Sequence, residues 1–181
     1  MIFTVGHSTR SADELLALLE AHGVTGLADV RTVPKSRRHP HFARGSLERT
    51  LPERGIEYQH FPGLGGLRAP RRDSPNGGWR VAGFRGYADH MQTSEFAAAL
   101  DSLLAFANMR GGPLRAATSR CVAVMCAEAK WWQCHRQLVA DALVVRGIEV
   151  RHIMTRDSAP VHELTSFARV DGTHLLYPAL V

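Results

Sequence analysis

Residues 122–136, Val-Ala-Val-Met-Cys-Ala-Glu-Ala-Lys-Trp-Trp-Gln-Cys-His-Arg, constrain the fold of this chain more than any other stretch. The apolar run ending at Cys126 has the length and β-branched content of a strand buried on both faces. A short link carrying Glu128 follows, and then a helix-like run holds Cys134, His135 and Arg136. Leu138, Val139, Ala142 and Leu143 continue it at helical spacing. A doubly buried strand handing over to a helix implies an α/β fold with a mainly parallel sheet flanked by helices. It also gathers a thiol, a carboxylate, an imidazole and a guanidinium at a strand's carboxyl end, where open α/β sheets bind their ligands.

The rest of the chain agrees with that class. An apolar strand at residues 2–6 runs into His7-Ser8-Thr9-Arg10. Ser11 with Glu14 makes a capping box, Leu15, Leu16, Leu18 and Leu19 follow, and Gly23 closes the helix. A second strand at 26–31 completes a βαβ unit, so the two strands should be parallel with a right-handed crossover. A basic loop with Lys35, Arg37, Arg38 and Arg44 leads to a short helix from Ser46 and a strand at 56–60. Residues 61–86 read as an irregular, lid-like loop rich in glycine and arginine, including Arg68, Arg71, Arg72 and Arg80. A helical turn at 87–91, a Thr93-capped helix, a Gly/Pro connection at 108–119 and a strand at 149–153 follow. The tail, 155–181, has little periodicity beyond an apolar run near Leu175.

The 181 residues suit one α/β domain spanning 1–181, with no internal repeat and no composition break. No apolar run approaches a membrane span, so no membrane partner is expected. The opening residues lack a basic region ahead of an apolar one, and a cytoplasmic location is expected. Three cysteines argue against a disulfide framework. A net charge of +5, from 22 basic and 17 acidic side chains, favours anionic partners but is too small to require nucleic acid.

Parallel strands share one carboxyl edge. His7, Ser8 and Arg10 end the first strand, Asp29 and Arg31 the second, and Cys126 and Glu128 the central one. This convergence defines the candidate site. Cys126 is a candidate nucleophile, to be weighed against a small buried hydrophobe. Glu128 is a candidate general acid or base, to be weighed against a helix-start carboxylate. His135 completes the catalytic set. His7, Ser8, Arg10, Asp29, Arg31 and Arg136 form the substrate-binding set, although a structural ion pair with Asp29 or Glu128 is the favoured single role for Arg136 over an anion clamp. Trp131 and Trp132 are expected to pack against the core or the loop. No glycine-rich nucleotide fingerprint occurs, and no cofactor is expected.

Cys126, Cys134, His135 and His7 are plausible zinc ligands by type. The spacing is unlike a zinc finger, however, and adjacent helical residues diverge by about 100°. No metal is therefore expected.

Thr4-Val5-Gly6-His7-Ser8, Asp29-Val30-Arg31 with Pro34 and Ser36-Arg37, Leu64-Gly65-Gly66 with Arg68, Cys126-Ala127-Glu128 and Cys134-His135-Arg136 together resemble the family catalogued as domain of unknown function 488. The resemblance runs from about residue 2 to residue 153. It implies an α/β domain and supplies no reaction. Three functional readings follow from the residues. The first is an enzyme acting on a small anionic, phosphate-bearing or nucleotide-like substrate at the sheet edge. The second is a nucleic-acid-binding or -processing protein that grips its ligand with the basic loops, Trp79 and Phe84. The third is a non-catalytic partner-binding module.

Overall fold

Five short strands form one parallel sheet in the order β3-β2-β4-β1-β5. They are β1 (Ile2–Gly6), β2 (Gly26–Asp29), β3 (Glu57–His60), β4 (Val122–Cys126) and β5 (Val150–His152). The structure is a computed structural model describing residues 1–35, 38–108 and 120–179. Arg37 and the connection expected at 108–119, from residue 109 on, lie outside the described residues. The central strand β4 pairs with β1 along its whole length, Ile2 beside Val122 through Gly6 beside Cys126, and with β2 on its other side.

Alternation along the strands splits the interior in two. Ile2, Val122, Val124 and Cys126 face one core, completed by α3 (Ala82–His90), α4 (Ser94–Phe106) and α5 (Arg136–Val144). Phe3, Val5, Ala123 and Met125 face the other, under α1 (Ala12–Ala21) and α2 (Arg44–Thr50). The chain leaves β1 and β2 toward the α1/α2 face and leaves β4 toward the α5 face. Neighbouring strands that send their chains to opposite faces open a crevice at their carboxyl ends. That crevice lies between His7, Arg31 and Cys126.

The first βαβ unit forms with its capping box at Ser11 and Glu14. Its two strands are parallel, but β4 intervenes between them. Three boundaries differ from expectation. The helix after Glu128 starts at Arg136, because Cys134 is extended (φ −134°, ψ 145°) after a 3-10 turn at Trp131–Gln133. Helix α3 starts at Ala82, so the irregular segment ends five residues earlier than expected, with Gly83 and Gly86 inside the helix. Gly86 is required there, since a Cβ would lie 2.4 Å from the Arg68 carbonyl oxygen. Helix α2 begins at Arg44, two residues before Ser46.

The long segment before α3 is pinned in its middle. The Asp89 carboxylate accepts bonds from the Arg71 amide, Ser74 Oγ and Asn76 Nδ2. Asn76 in turn accepts from the Tyr177 amide. The tail carries an antiparallel hairpin, β6 (Arg169–Asp171) and β7 (His174–Leu176), turned at Gly172. It is anchored by a buried chain of side chains. Thr4 bonds His152 Nδ1, His152 Nε2 faces His162 Nδ1, and Asp141 accepts from His162 Nε2 and the Tyr177 hydroxyl.

Candidate functional site

The crevice is a cavity of about 500 Å³. His7 comes from the end of β1, Arg31 from the end of β2, and Cys126, Ala127 and Glu128 from the end of β4. Cys134 and His135 enter from the start of α5, and Leu67 and Phe84 close the opposite side.

At its floor Cys126, Cys134 and His135 converge. His135 Nδ1 lies 4.0 Å from Cys126 Sγ and 3.7 Å from Cys134 Sγ. The three ligand-type atoms all lie within 4.8 Å of one another. His135 Nε2 is 3.3 Å from the Val30 carbonyl oxygen. A carbonyl can only accept, so Nε2 carries the proton and the bare Nδ1 points at the sulfurs. Because Cys134 is extended and His135 only caps α5, the two are not neighbours on a helix. The 100° divergence assumed from the sequence therefore does not apply, and their side chains meet.

Arg136 is buried behind this cluster. Its Nε donates to Cys134 Sγ at 3.4 Å and its terminal nitrogen donates to the Glu128 carbonyl oxygen. The partner is thus the main chain of Glu128, not its carboxylate, and Asp29 is not involved. Cys134 shares a proton with Cys126, which holds Cys134 well below the ordinary thiol range, aided by the Arg136 charge. The same sharing, with burial, pushes Cys126 up.

The opposite wall is a second polar unit. Asp29, fully buried, accepts from the Arg31 amide, from Arg31 Nε at 2.8 Å, from its terminal nitrogen, and from the Tyr58 hydroxyl at 2.7 Å. Arg31 also donates to the Phe42 carbonyl at 2.8 Å and lies 3.3 Å from His7 Nε2. Burial and the adjacent Arg31 charge lower His7 to about 4, so it is neutral near pH 7. It donates from Nδ1 to the Ser8 carbonyl and presents Nε2 to Arg31.

Of the residues singled out from the sequence, His7, Arg31, Cys126, Glu128 and His135 line the cavity. Asp29 and Arg136 stand behind it, holding Arg31 and Cys134. Ser8 adopts a left-handed conformation (φ 51°), and its amide bonds the Ala127 carbonyl. Arg10 turns back to the Gly6 carbonyl. Neither lines the cavity. Gly6 allows the strand end to press against the link after β4, where a Cβ would lie 1.8 Å from the Glu128 carbonyl oxygen. Glu128 is exposed.

Sequence reasoning left Cys134, Lys35 and Gly66 out of the site. All three line the cavity. The signal for Gly66 was its place in Leu64-Gly65-Gly66. A Cβ there would stand 2.3 Å from His135 Nδ1, so only glycine lets the loop cross the imidazole. Trp79 and Phe84, candidate base-stacking rings, are stacked on each other with centroids 4.8 Å apart, and Trp79 also meets Phe167 and Tyr177. Trp131 packs inward on His152, while Trp132 is exposed beside Lys130.

A family model described as domain of unknown function DUF488 matches residues 11–143. The chain belongs to this DUF488 family. No curated protein and no solved structure gave a match. The DUF488 match spans β2, β4 and the start of α5, and so includes Arg31, Cys126, Glu128, Cys134 and His135; His7 precedes it. Among the described residues of this DUF488 chain, no helix is long and apolar enough to cross a membrane.

Proposed function

We propose that the protein is an enzyme acting on a small anionic, phosphate-bearing or nucleotide-like substrate bound in the cavity at the carboxyl edge of the sheet. The observation that carries this reading is convergence. Three strands and one helix start deliver His7, Arg31, Cys126 and His135 into one cavity of about 500 Å³, a size suited to a small molecule. Its chemistry is mixed. Val33, Leu67, Val81 and Phe84 offer an apolar wall for a base or similar ring, while Lys35 and Arg31 offer cations. Arg31 is already neutralised by Asp29, so Lys35 carries most of the attraction for an anion. The neutral His7, its two ring nitrogens held by the Ser8 carbonyl and Arg31, shapes the cavity wall without adding charge. The Glu128 carboxylate, exposed at the cavity, is the proton-handling group, and the reacting edge is that of Cys126 and His135.

The test is a thermal-shift screen of nucleotides, nucleosides, sugar phosphates and short oligonucleotides. A small-molecule stabiliser well above its dissociation constant should add a few kcal/mol of apparent stability, about 2.7 at a hundredfold excess. The shift should weaken in Val81→Trp, which crowds the cavity mouth, and weaken in Lys35→Ala. Glu128→Gln should lower turnover of the same compound with an unchanged melting temperature. A shift undiminished in both Val81→Trp and Lys35→Ala would move the ligand elsewhere. Stabilisation by oligonucleotides alone, fading with salt, would replace the enzyme reading by the nucleic-acid one.

A further inference from the structure

We propose that Cys126, Cys134 and His135 bind one thiophilic divalent transition-metal ion of the zinc type, leaving a coordination position open to the cavity. Two thiolates and an imidazole are a donor set that selects such ions over the hard cations that prefer oxygen. The spacing agrees. With metal–sulfur bonds of about 2.3 Å and metal–nitrogen bonds of about 2.0–2.1 Å, tetrahedral ligand atoms stand roughly 3.5–3.8 Å apart. His135 Nδ1 lies 3.7 Å and 4.0 Å from the two sulfurs, too far for good direct hydrogen bonds but right for an ion between them.

Two outer contacts, independent of that triangle, point the same way. The Val30 carbonyl, 3.3 Å from Nε2, fixes the tautomer that leaves Nδ1 free to ligate. Holding a ligand histidine through its other nitrogen is the usual support of such sites. Arg136 Nε donates to Cys134 Sγ at 3.4 Å, which steadies a thiolate in a buried place. Two thiolates balance the dication, so the ion needs no further anionic ligand from the protein. All three residues line the cavity, and three protein ligands with an open fourth position is the arrangement of a reactive rather than a structural ion. The metal site stands on these contacts and does not depend on the cavity turning a substrate over.

The experiment is titration of the reduced, metal-free full chain with Co2+ and then Zn2+. One equivalent of Co2+ should give a thiolate-to-metal charge-transfer band and visible bands of tetrahedral intensity, both erased by Zn2+. Zn2+ should shield two of the three thiols from alkylation, leaving Cys121. Cys121→Ser should bind as the wild type. Cys134→Ser and His135→Ala should lose more than the roughly 10–100-fold that a missing outer-shell partner costs. Gly66→Ala keeps every ligand but sets a methyl 2.3 Å from Nδ1, and it too should weaken binding. Absence of the charge-transfer band in the wild type, failure of Zn2+ to shield the thiols, or a Cys126–Cys134 disulfide forming in the presence of excess Zn2+ would each overturn the proposal. A bound ion combined with a failed ligand screen would sink only the enzyme reading.

Discussion

Two histidine-containing clusters flank α5, and they are built differently. The interior one runs from Thr4 through His152 and His162 to Asp141 and Tyr177, with successive distances of 2.7, 2.9, 2.8 and 2.8 Å. The Thr165 amide adds a further donor to Asp141 at 3.0 Å. Trp131 lies flat on His152, with ring centroids 4.0 Å apart and planes 5° from parallel. Each group in that chain has its partner and none faces the cavity. In the rim cluster the spacings are 3.4 to 4.0 Å, and sulfur and bare nitrogen face a space large enough for a ligand. Buried polar groups that satisfy one another hold a fold together, whereas groups brought together but left spaced around a cavity are available for chemistry.

The largest effect should come from breaking the interior cluster. Asp141→Ala removes the acceptor for His162, Thr165 and Tyr177 at once. Loss of one partner in a buried charged network costs about 3–5 kcal/mol, equivalent to a fall of roughly 10 °C in melting temperature for a chain of this size. Cys134→Ser, at the rim, should cost no more than about 1.5 kcal/mol. Urea denaturation of the two variants measures both. Equal losses would erase the distinction between the clusters.

Acid should act on the interior cluster next. Burial, then the neighbouring His162 and the charge of Arg136, lower His152 to about 3. In the unfolded chain the same imidazole takes its proton near 6.5. Between those values the unfolded state binds the proton and the folded state does not. Stability is therefore fully present above 6.5 and falls as pH drops toward 3, by about 1.4 kcal/mol per pH unit from this group. His162 and the charge of Arg136 face this ring, and Asp141 stands one residue further along the hydrogen-bonded chain, bonded to His162. Folding free energies of wild type and His152→Gln across pH 7 to 4 should show the variant less stable at pH 7 but with a shallower decline. Parallel curves would assign the acid sensitivity elsewhere.

A smaller change probes the rim. In Gly66→Ala the new methyl displaces His135, at an overpacking cost of about 1–3 kcal/mol. The loop at 65–67 is partly exposed and can shift, so the lower end of that range is expected. Ligand or metal binding should nevertheless fall sharply. A variant that binds as well as the wild type would show that His135 does not need its present position.

The contrast also explains what could be read from the sequence. Continuous apolar runs exposed β1 and β4, which are buried on both faces, and helical spacing exposed the flanking helices. Convergence at the carboxyl edge followed from parallel strands alone, which is why His7, Arg31, Cys126, Glu128 and His135 were legible. Misjudged were features fixed by a few backbone angles. Extended Cys134 and the late start of α5 look no different in sequence from a helix begun at Cys134, yet they decide whether two adjacent side chains meet. The interior cluster was invisible for another reason. His152, His162, Asp141 and Tyr177 come from four separated places, and only the docking of an aperiodic tail joins them.

The smallest effect should come from a pair that looks the same on paper. Arg31–Asp29 and Arg71–Asp73 each join an arginine to an aspartate two residues away, each through two nitrogens. The first is buried; in the second the side chains are 55% and 76% exposed. Solvent screens the exposed pair, and ordering two long side chains offsets its attraction. The Arg71 amide, which holds Asp89, survives side-chain truncation. Arg71→Ala should therefore leave the melting temperature unchanged. Arg31→Ala strands the Asp29 carboxylate in the interior but leaves it the Tyr58 hydroxyl and the main-chain amide at residue 31, and should cost about 3 kcal/mol, the lower end for a broken buried pair. Thermal melts of the two variants side by side decide it. A clear loss in Arg71→Ala would mean that the loop around it contributes more to the fold than its exposed charges suggest.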